Sequence, residues 1–344
     1  MFLPIVLIAS ARSSSLDLAY AARYYYQGKR KSYLQIYLVN HTGSGRRQIT
    51  HNEFNSYAPM WVDRNHLAWV EAYEKLPLKG EVMYATYRLR VMVLNLSTGK
   101  RKGVGNLTSE VPEFGIWPKE NTFELNRGGP NYTLIPTTFS VYLDGISKVP
   151  NKESRMMDES FGDDDDSGMG DALGGSGKVM LKSKWGPWTL HWTGQTPEMI
   201  NDDDATVAKC HVDLESKWKG KTRKFRLQGN HVNNAIVDRW GSPVILTTYA
   251  YEKYRHDNYL YRLSKDGKSI TKVSGKVGMI DLQADRHLWI GHQVGAKEGA
   301  MGNLDDGRGV YTFWLYCGDW NTGKQWTIAD GLVFVHGTAF RPLK

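Results

Sequence analysis

Hydrophobic and polar residues alternate along most of this chain, in short runs that end at turn residues. Residues 36–39 (IYLV) are followed by the polar stretch NHTGSGRR, and residues 91–94 (VMVL) by NLSTGKRK. Alternation with a period of two that stops at a glycine-containing turn indicates a β-hairpin. A sustained helical period with caps is almost absent. The pattern therefore predicts an all-β fold.

Six hairpins of this kind follow one another at near-regular intervals. The separations between their turn glycines are 54, 46, 75, 47 and 56 residues, and the longest interval contains an acidic, glycine-rich stretch. These glycines are Gly45, Gly99, Gly145, Gly220, Gly267 and Gly323. A second pair of short strands lies between successive hairpins, as in residues 59–63 and 66–70, so each repeat has four strands. Four-stranded repeats of about 40 to 55 residues are typical of propeller blades.

The two ends of the chain together can supply the strands of one blade. Residues 18–22 fit the second strand of a blade, but no inner strand clearly precedes them. Residues 333–335 and 337–342 follow the last hairpin and can supply that strand. We therefore expect a single domain over residues 12–344, a six-bladed β-propeller closed by a C-terminal strand in the N-terminal blade. An acidic, glycine-rich insertion at about residues 153–178 interrupts it.

The first repeat resembles a known family. Over residues 18–70, Ile49, Thr50, Pro59, Trp61 and Asp63 match the repeat of TolB-like propellers, also called PD40 or WD40-like repeats. Residues 64–65 (RN) replace the expected proline-aspartate-glycine type of turn, and the other repeats match more weakly. The resemblance implies the architecture for most of the chain and says little about its chemistry.

Charge and composition narrow the choice of partners. The net charge is +8, and residues 158–171 hold seven acids and no base, which leaves about +15 on the rest of the chain. This excess favours an anionic partner, although scattered Lys and Arg side chains are also typical of a solvated surface. No nucleic-acid motif and no dense basic run is present, so nucleic acid is an unlikely partner. We expect a monomer whose ligand is a protein or a carbohydrate.

The N-terminus has two interpretations. Residues 2–11 (FLPIVLIASA) are apolar and end in a small-residue pattern, but they lack a basic region and are short for a leader. Residues 1–11 are therefore either the remnant of a leader or a strand. A leader implies a periplasmic or extracellular protein, and its absence a cytoplasmic one. No apolar run reaches the roughly 18 to 20 residues of a membrane span, and Cys210 and Cys317 are too few for a disulfide scaffold.

Candidate ligand-binding residues lie in the loops that lead into the inner strand of each blade. These loops gather at one mouth of a propeller channel, where function usually resides. The candidates are His51, Glu53, Asn55, Glu113, His231, Asn233 and His336. Imidazole and carboxylate groups suit Zn, Mn or Fe, whereas isolated loop histidines are more often solvated or cap backbone groups. Whether a metal or another cofactor binds is left open.

Two functions remain at this point. The first is a binding or scaffold module that uses the loops at one channel mouth. The second is a metal-dependent, carbohydrate-active lyase or hydrolase with a His/Glu/Asn site there. Sequence motifs of serine hydrolases, zinc peptidases, phosphate-binding loops and dinucleotide-binding folds are absent. Residues 163–166 (DDDD) lack the spacing of a calcium loop, and residues 321–326 (NTGKQW) are interpreted as a hairpin turn rather than an Asp-box.

Overall fold

The fold is all-β. The computed structural model describes residues 16–24, 33–75, 86–112, 116–119, 122–128, 134–149, 176–194, 211–229, 231–251, 255–277, 280–294, 302–303, 309–310 and 313–343. Every regular element among these residues is a strand, as the alternating pattern predicts. No helix in this part of the chain is long and apolar enough to cross a membrane. The N-terminal residues 1–11 and the insertion up to residue 175 lie outside the described residues.

The chain divides into two compact units. The first contains residues 1–161, 295–313 and 328–344, and the second contains residues 162–294 and 314–327. Strand β25 (Gln325–Phe340) begins in the second unit and ends in the first.

Unit 1 is built from antiparallel sheets whose strands follow chain order, except that β25 lies beside β1. Its strands are β1 (Leu18–Tyr24), β2 (Gln35–Val39), β3 (Arg47–Gln48), β4 (Ser56–Asp63), β5 (His66–Lys75), β6 (Thr86–Asn95), β7 (Arg101–Pro112), β8 (Ile116–Lys119), β9 (Thr122–Gly128), β10 (Leu134–Val141), β11 (Ile146–Lys148), the short pair β22 (Gly302–Asn303) and β23 (Gly309–Val310), and the C-terminal part of β25. Two sheets, with the orders β4-β5-β6-β7 and β8-β9-β10-β11, are four-stranded meanders. The group β25-β1-β2-β3 is the part of a seven-stranded sheet that belongs to this unit.

Unit 2 repeats this arrangement. Its strands are β12 (Ser176–Leu181), β13 (Trp188–Gly194), β14 (His211–Trp218), β15 (Lys221–Gln228), β16 (His231–Val237), β17 (Pro243–Tyr251), β18 (Arg255–Leu263), β19 (Ile270–Val277), β20 (Ile280–Gln283), β21 (Leu288–Val294), β24 (Phe313–Asp319) and the first part of β25. Two four-stranded sheets have the orders β12-β13-β14-β15 and β16-β17-β18-β19, and the group β20-β21-β24-β25 is the other part of the seven-stranded sheet. The hairpins and the second strand pairs expected from the sequence are present in both units.

The turns between strands follow from their sequence. In the β6–β7 turn, the side-chain oxygen of Asn95 accepts hydrogen bonds from the N–H groups of Ser97 and Thr98, at 2.9 and 3.0 Å. Gly99 closes this turn with φ 71°, a conformation that costs glycine little. The β24–β25 turn at Asn321 is built in the same way around Asp319. It is therefore a hairpin turn, as its sequence indicates.

The second strands β5 and β17 are buried on both faces over most of their length, and their alternate residues enter different cores. On β5, Leu67 and Trp69 pack against the sheet that contains β1 and β2. Ala68 and Val70 point the other way and pack with Phe123 of the following sheet. Because successive side chains of a strand point to opposite faces of the sheet, one strand contributes to two cores.

The same division occurs in unit 2. Ile245 of β17 shares a core with Trp188 of the preceding sheet, whereas Val244 and Leu246 pack with Trp289 of the following one. Within each unit, every middle sheet thus lies between the sheet before it and the sheet after it in sequence.

The C-terminal strand pairs with the N-terminal strand. Leu18 pairs with Phe340, and the antiparallel register continues to Tyr24 opposite Leu332, with two irregularities. The indole N–H of Trp61 on β4 also donates to the Ala339 carbonyl at 3.1 Å. Phe340 is 7% exposed, so this end of β25 belongs to the packed interior of unit 1.

Replacing Phe340 by alanine should destabilise the protein by about 3 to 5 kcal/mol, because a buried aromatic ring is lost and a cavity remains. Phe334→Ala is the matched control on the same strand. Phe334 is 36% exposed, so its loss should cost no more than about 1 kcal/mol. Urea unfolding of the two variants measures the difference, and equal effects would contradict the packed position of this strand end.

Candidate functional site

The loop from residue 51 to residue 55 joins β3 to β4 and contains three of the predicted site residues. Fully buried Thr50 anchors its start. The Thr50 hydroxyl accepts the N–H of Ile36 at 2.9 Å and donates to Oε1 of Gln35 at 2.7 Å. Nε2 of Gln35 in turn donates to the Asn52 carbonyl at 3.0 Å. The beginning of the loop is therefore fixed to β2.

Asn55 anchors the end of the loop. Its side-chain oxygen accepts the backbone N–H of Leu34 at 2.8 Å, and its carbonyl accepts the N–H of Ala72 at 3.0 Å. The side chain is 4% exposed. These contacts give Asn55 a part in shaping the loop, a role that the sequence analysis did not foresee.

A buried carboxylate lies beneath the loop. Glu71 is 4% exposed, and its two oxygens accept hydrogen bonds from the donors of three side chains. Nε of Arg90 lies 2.7 Å from Oε1, and Nε1 of Trp69 and Nδ2 of Asn52 each lie 3.0 Å from Oε2. We call these four residues the Glu71 network. Because Asn52 belongs to the loop, the network ties the loop to β5 and β6.

His51 and Glu53 differ from their neighbours in the loop. Both side chains are exposed, whereas Thr50, Asn55 and Ser56 are buried. An imidazole and a carboxylate on a firmly held loop can meet a polar or charged ligand without much loss of conformational entropy. The loop therefore presents two of the predicted site residues to solvent.

His336 lies on β25, where the register to β1 shifts between Tyr20 and Ala22. Its ring is 6% exposed and packs edge-on against the ring of Tyr57, with centroids 5.4 Å apart. Burial lowers the pKa of His336 to about 4, so the imidazole is neutral at pH 7. The residue is thus a buried aromatic partner of β4.

The remaining predicted residues belong to unit 2 or to undescribed parts of the chain. His231 begins β16, is partly buried, and has a pKa lowered by that burial. Nδ2 of Asn233 donates to the Thr248 hydroxyl at 3.1 Å. Glu113 lies outside the described residues. The seven residues are therefore distributed over both units, and their joint role stays a prediction.

A metal centre finds no support in the described residues. Among them, no group of three or more His, Cys, Asp or Glu side chains is arranged to hold a metal ion. Cys317, on β24, is buried.

A small cavity in unit 1 was not foreseen from the sequence. It has a volume of about 230 Å³ and is lined by Tyr24, Tyr37, Arg46 and Gln48. Nη1 of Arg46 donates to the Tyr24 hydroxyl at 2.9 Å, and that hydroxyl lies 2.7 Å from the hydroxyl of Tyr20. Burial raises the pKa of Tyr20 far above its ordinary value, so its hydroxyl stays protonated. The signal in the sequence was the even spacing of Tyr20 and Tyr24, which places both on one face of β1.

Comparison with known proteins gives structural neighbours but no sequence relative. No protein-family model matches the chain, and neither does any curated protein. Among solved structures, the chain is similar to TolB from Acinetobacter baumannii, with 10% sequence identity and a TM-score of 0.45. The match covers 95% of this chain and 67% of that chain. It is also similar to the S527A variant of the AtxE2 isopeptidase with Astexin3-dC4 bound, with 10% identity, coverage of 92% and 50%, and a TM-score of 0.49. The match spans half of that isopeptidase chain.

A third similar structure is a putative 6-phosphogluconolactonase from Bacteroides uniformis. Here the identity is 11%, the coverage is 93% of this chain and 98% of that chain, and the TM-score is 0.39. All three TM-scores are below 0.5. The architecture is therefore assigned from the strand order of the protein itself.

The Glu71 network should contribute more to stability than an exposed ion pair on the same two strands. Arg90→Met leaves the buried Glu71 carboxylate without its cation and should cost about 2 to 3 kcal/mol, less than a fully buried pair because Arg90 is 43% exposed. Arg88→Met removes the pair with Glu74, whose side chains are 54% and 47% exposed. That change should cost less than about 1 kcal/mol. Denaturant unfolding of both variants provides the comparison, and a reversed order would refute the anchoring role of Glu71.

Stability should fall in mild acid because of His336. Its folded pKa, about 4, lies below the value of about 6.5 in an unfolded chain. Between these values the unfolded state binds more protons, so the free energy of unfolding decreases as the pH falls from about 6.5 to about 4. His336→Leu should flatten this slope relative to the parent protein, as measured by urea unfolding across that range. An unchanged slope in His336→Leu would show that the ring is not held neutral.

Proposed function

We propose that the chain is a TolB-like, six-bladed β-propeller that acts as a binding module. Three features of the strand order support this architecture. Antiparallel strands occur in groups of four that follow chain order apart from β25, middle sheets pack between their sequence neighbours, and β25 pairs with β1. Six such groups, with the C-terminal strand completing the first, make a closed ring that leaves only short, protected strand edges.

The ligand site of this module is the set of loops that enter the inner strands. We assign to it His51, Glu53, Asn55, Glu113, His231, Asn233 and His336. The observation that carries the proposal is the loop of residues 51–55 in unit 1. Hydrogen bonds from Gln35 to the Asn52 carbonyl and from the Asn52 side chain to Glu71 hold the loop, while His51 and Glu53 face solvent.

A protein or a carbohydrate is the ligand class that fits such a loop. An imidazole and a carboxylate on a fixed loop form directional hydrogen bonds with peptide groups or with sugar hydroxyls. Preorganisation reduces the entropy that binding must overcome. In this view the buried residues of the set, Asn55 and His336, position the loop and the adjacent strand.

Site-specific photo-crosslinking tests this proposal. A benzophenone amino acid replaces Glu53 in the intact chain, and the same probe replaces Thr98 in the exposed β6–β7 turn as a control. In extract of the source organism, the probe at position 53 should crosslink a partner that the probe at position 98 does not. A glycan array screened with the unmodified protein covers the carbohydrate class.

The identified protein or glycan is then titrated against the purified chain. His51→Ala/Glu53→Ala should weaken binding roughly tenfold or more, as expected for the loss of two polar contacts of about 1 kcal/mol each. Thr98→Ala/Lys100→Ala should bind as the parent does. Unchanged affinity of the loop variant would overturn the proposal. Stoichiometric metal in the purified protein that is lost in His51→Ala/His231→Ala would favour the metal-dependent enzyme instead.

A further inference from the structure

The turns of unit 2 form a surface that the loop site does not include. Strand β16 runs from His231 to Val237, so the turn that follows it lies at the opposite end of the strand from His231. Successive antiparallel strands bring the other hairpin turns of unit 2 to the same end of their own sheets. These turns span residues 182–187, 219–220, 238–242, 264–269, 284–287 and 320–324.

A short motif recurs in these turns. Residues 184–186 read KWG and residues 239–241 read RWG, and residues 217–220 give the related KWKG. Trp185 is 47% exposed and Trp240 is 37% exposed, which is unusual for residues of this size. Each copy places a cation beside an indole at a turn.

The first copy brings together lysines from two turns. Nζ of Lys184 lies 4.9 Å from the centre of the Trp185 ring, and Nζ of Lys265 lies 5.0 Å from it. The indole packs directly over Gly241, where any side chain would overlap it. Trp185 therefore holds two ammonium groups in place between neighbouring sheets.

The second copy brings together one arginine from a turn and one from strand β18. The guanidinium groups of Arg239 and Arg262 lie 4.7 and 5.6 Å from the centre of the Trp240 ring. His287 stacks on this ring with centroids 3.3 Å apart. Arg262 is further fixed by the buried Asp238 at 2.8 Å.

We call Lys184, Trp185, Arg239, Trp240, Arg262 and Lys265 the cation–Trp surface. The ring of Trp185 lies over Gly241, which follows Trp240 in the chain, so the two halves of the surface adjoin. The charge of Arg262 is compensated by Asp238, but Lys184, Lys265 and Arg239 have no carboxylate within ion-pair distance among the described residues. The surface therefore carries excess positive charge in a fixed arrangement.

A ligand with repeated negative charges fits this arrangement, because the motif is repeated on adjacent sheets. Acids and amides are interleaved with the cations. Asp266, 54% exposed, lies next to Lys265 and pairs with Lys268 at 3.3 Å, and Asn321 is exposed beside Arg262. Carboxylate and amide oxygens accept hydrogen bonds from hydroxyl groups, which a polysaccharide carries between its charged groups and which a DNA backbone lacks.

We propose that the cation–Trp surface binds an acidic polysaccharide. Its carboxylate or sulfate groups would meet Lys184, Lys265 and Arg239, and its hydroxyl groups would meet Asp266 and Asn321. This site goes beyond the loop site proposed above and does not depend on it. Single-stranded nucleic acid fits less well because it requires bare aromatic faces for stacking, whereas His287 and Arg239 cover the ring of Trp240.

Binding to immobilised polymers tests the proposal with the full chain. Polygalacturonate supplies carboxylates and heparin supplies sulfates, and each is measured at low and high salt. The parent protein should bind at least one of them, and added salt should weaken that binding because the charges are exposed. A single-stranded oligonucleotide and vesicles containing phosphatidylserine are measured alongside. Tighter binding to either of these, or no binding to either polysaccharide, would overturn the proposal.

Two variants with the same change in charge localise the site. Lys184→Gln/Arg239→Gln/Lys265→Gln should weaken polysaccharide binding roughly tenfold or more, as expected for three exposed ionic contacts. Lys100→Gln/Lys102→Gln/Lys148→Gln removes three exposed lysines of unit 1 and should change the affinity by less than about twofold. Equal weakening in both variants would show that only net charge matters.

A third variant separates positioning from charge. Trp185→Leu keeps every cation but removes the ring that holds Lys184 and Lys265, so it should weaken binding by a smaller factor than the charge variant. Urea unfolding of each variant establishes that it is folded. Unchanged affinity in folded Trp185→Leu would contradict the role of the indole in this surface.

Discussion

Several strands of this protein are buried on both faces, and much of the structure depends on covering those faces. All five residues of β2 are buried, whichever face they occupy. A four-stranded sheet cannot cover both of its own faces, so it needs a neighbour on either side. The alternation on β5, with Trp69 in one core and Val70 in the next, satisfies the requirement. Serial packing of the sheets is the physical consequence.

The strands and turns were predictable because their causes are local. Alternation with a period of two and the turn chemistry of Asn95 and Gly99 are visible within a few residues of the sequence. The pairing of β25 with β1 was also accessible, because residues 18–22 lacked an inner strand. The number of blades and the closure of the ring are properties of the whole chain, and they remain part of the proposal.

The candidate site was less predictable, because its determinants are distant in sequence. Asn55 was expected to contact a ligand, but its oxygen accepts the N–H of Leu34, 21 residues away. Glu71 lies within an apolar strand and gave no signal of its own; its donors Asn52 and Arg90 are each 19 residues away. His336 similarly resembles a loop histidine in the sequence, yet it packs against Tyr57. Such contacts depend on register and packing, which periodicity alone does not determine.

Positions within a strand and positions in a turn differ in the constraints on their side chains. This difference explains where binding chemistry can arise. Within a strand, alternate positions must be apolar because they enter a core, so a charged residue such as Glu71 requires a full set of donors. In a tight turn, glycine and a capping side chain satisfy the backbone, and the other positions are free of the core. Cations and indoles can therefore accumulate in turns, as at Lys184 and Trp185, without disturbing the sheets. Because each successive sheet has a turn of the same kind, similar turns recur along the chain. The binding positions proposed for these turns therefore recur as well.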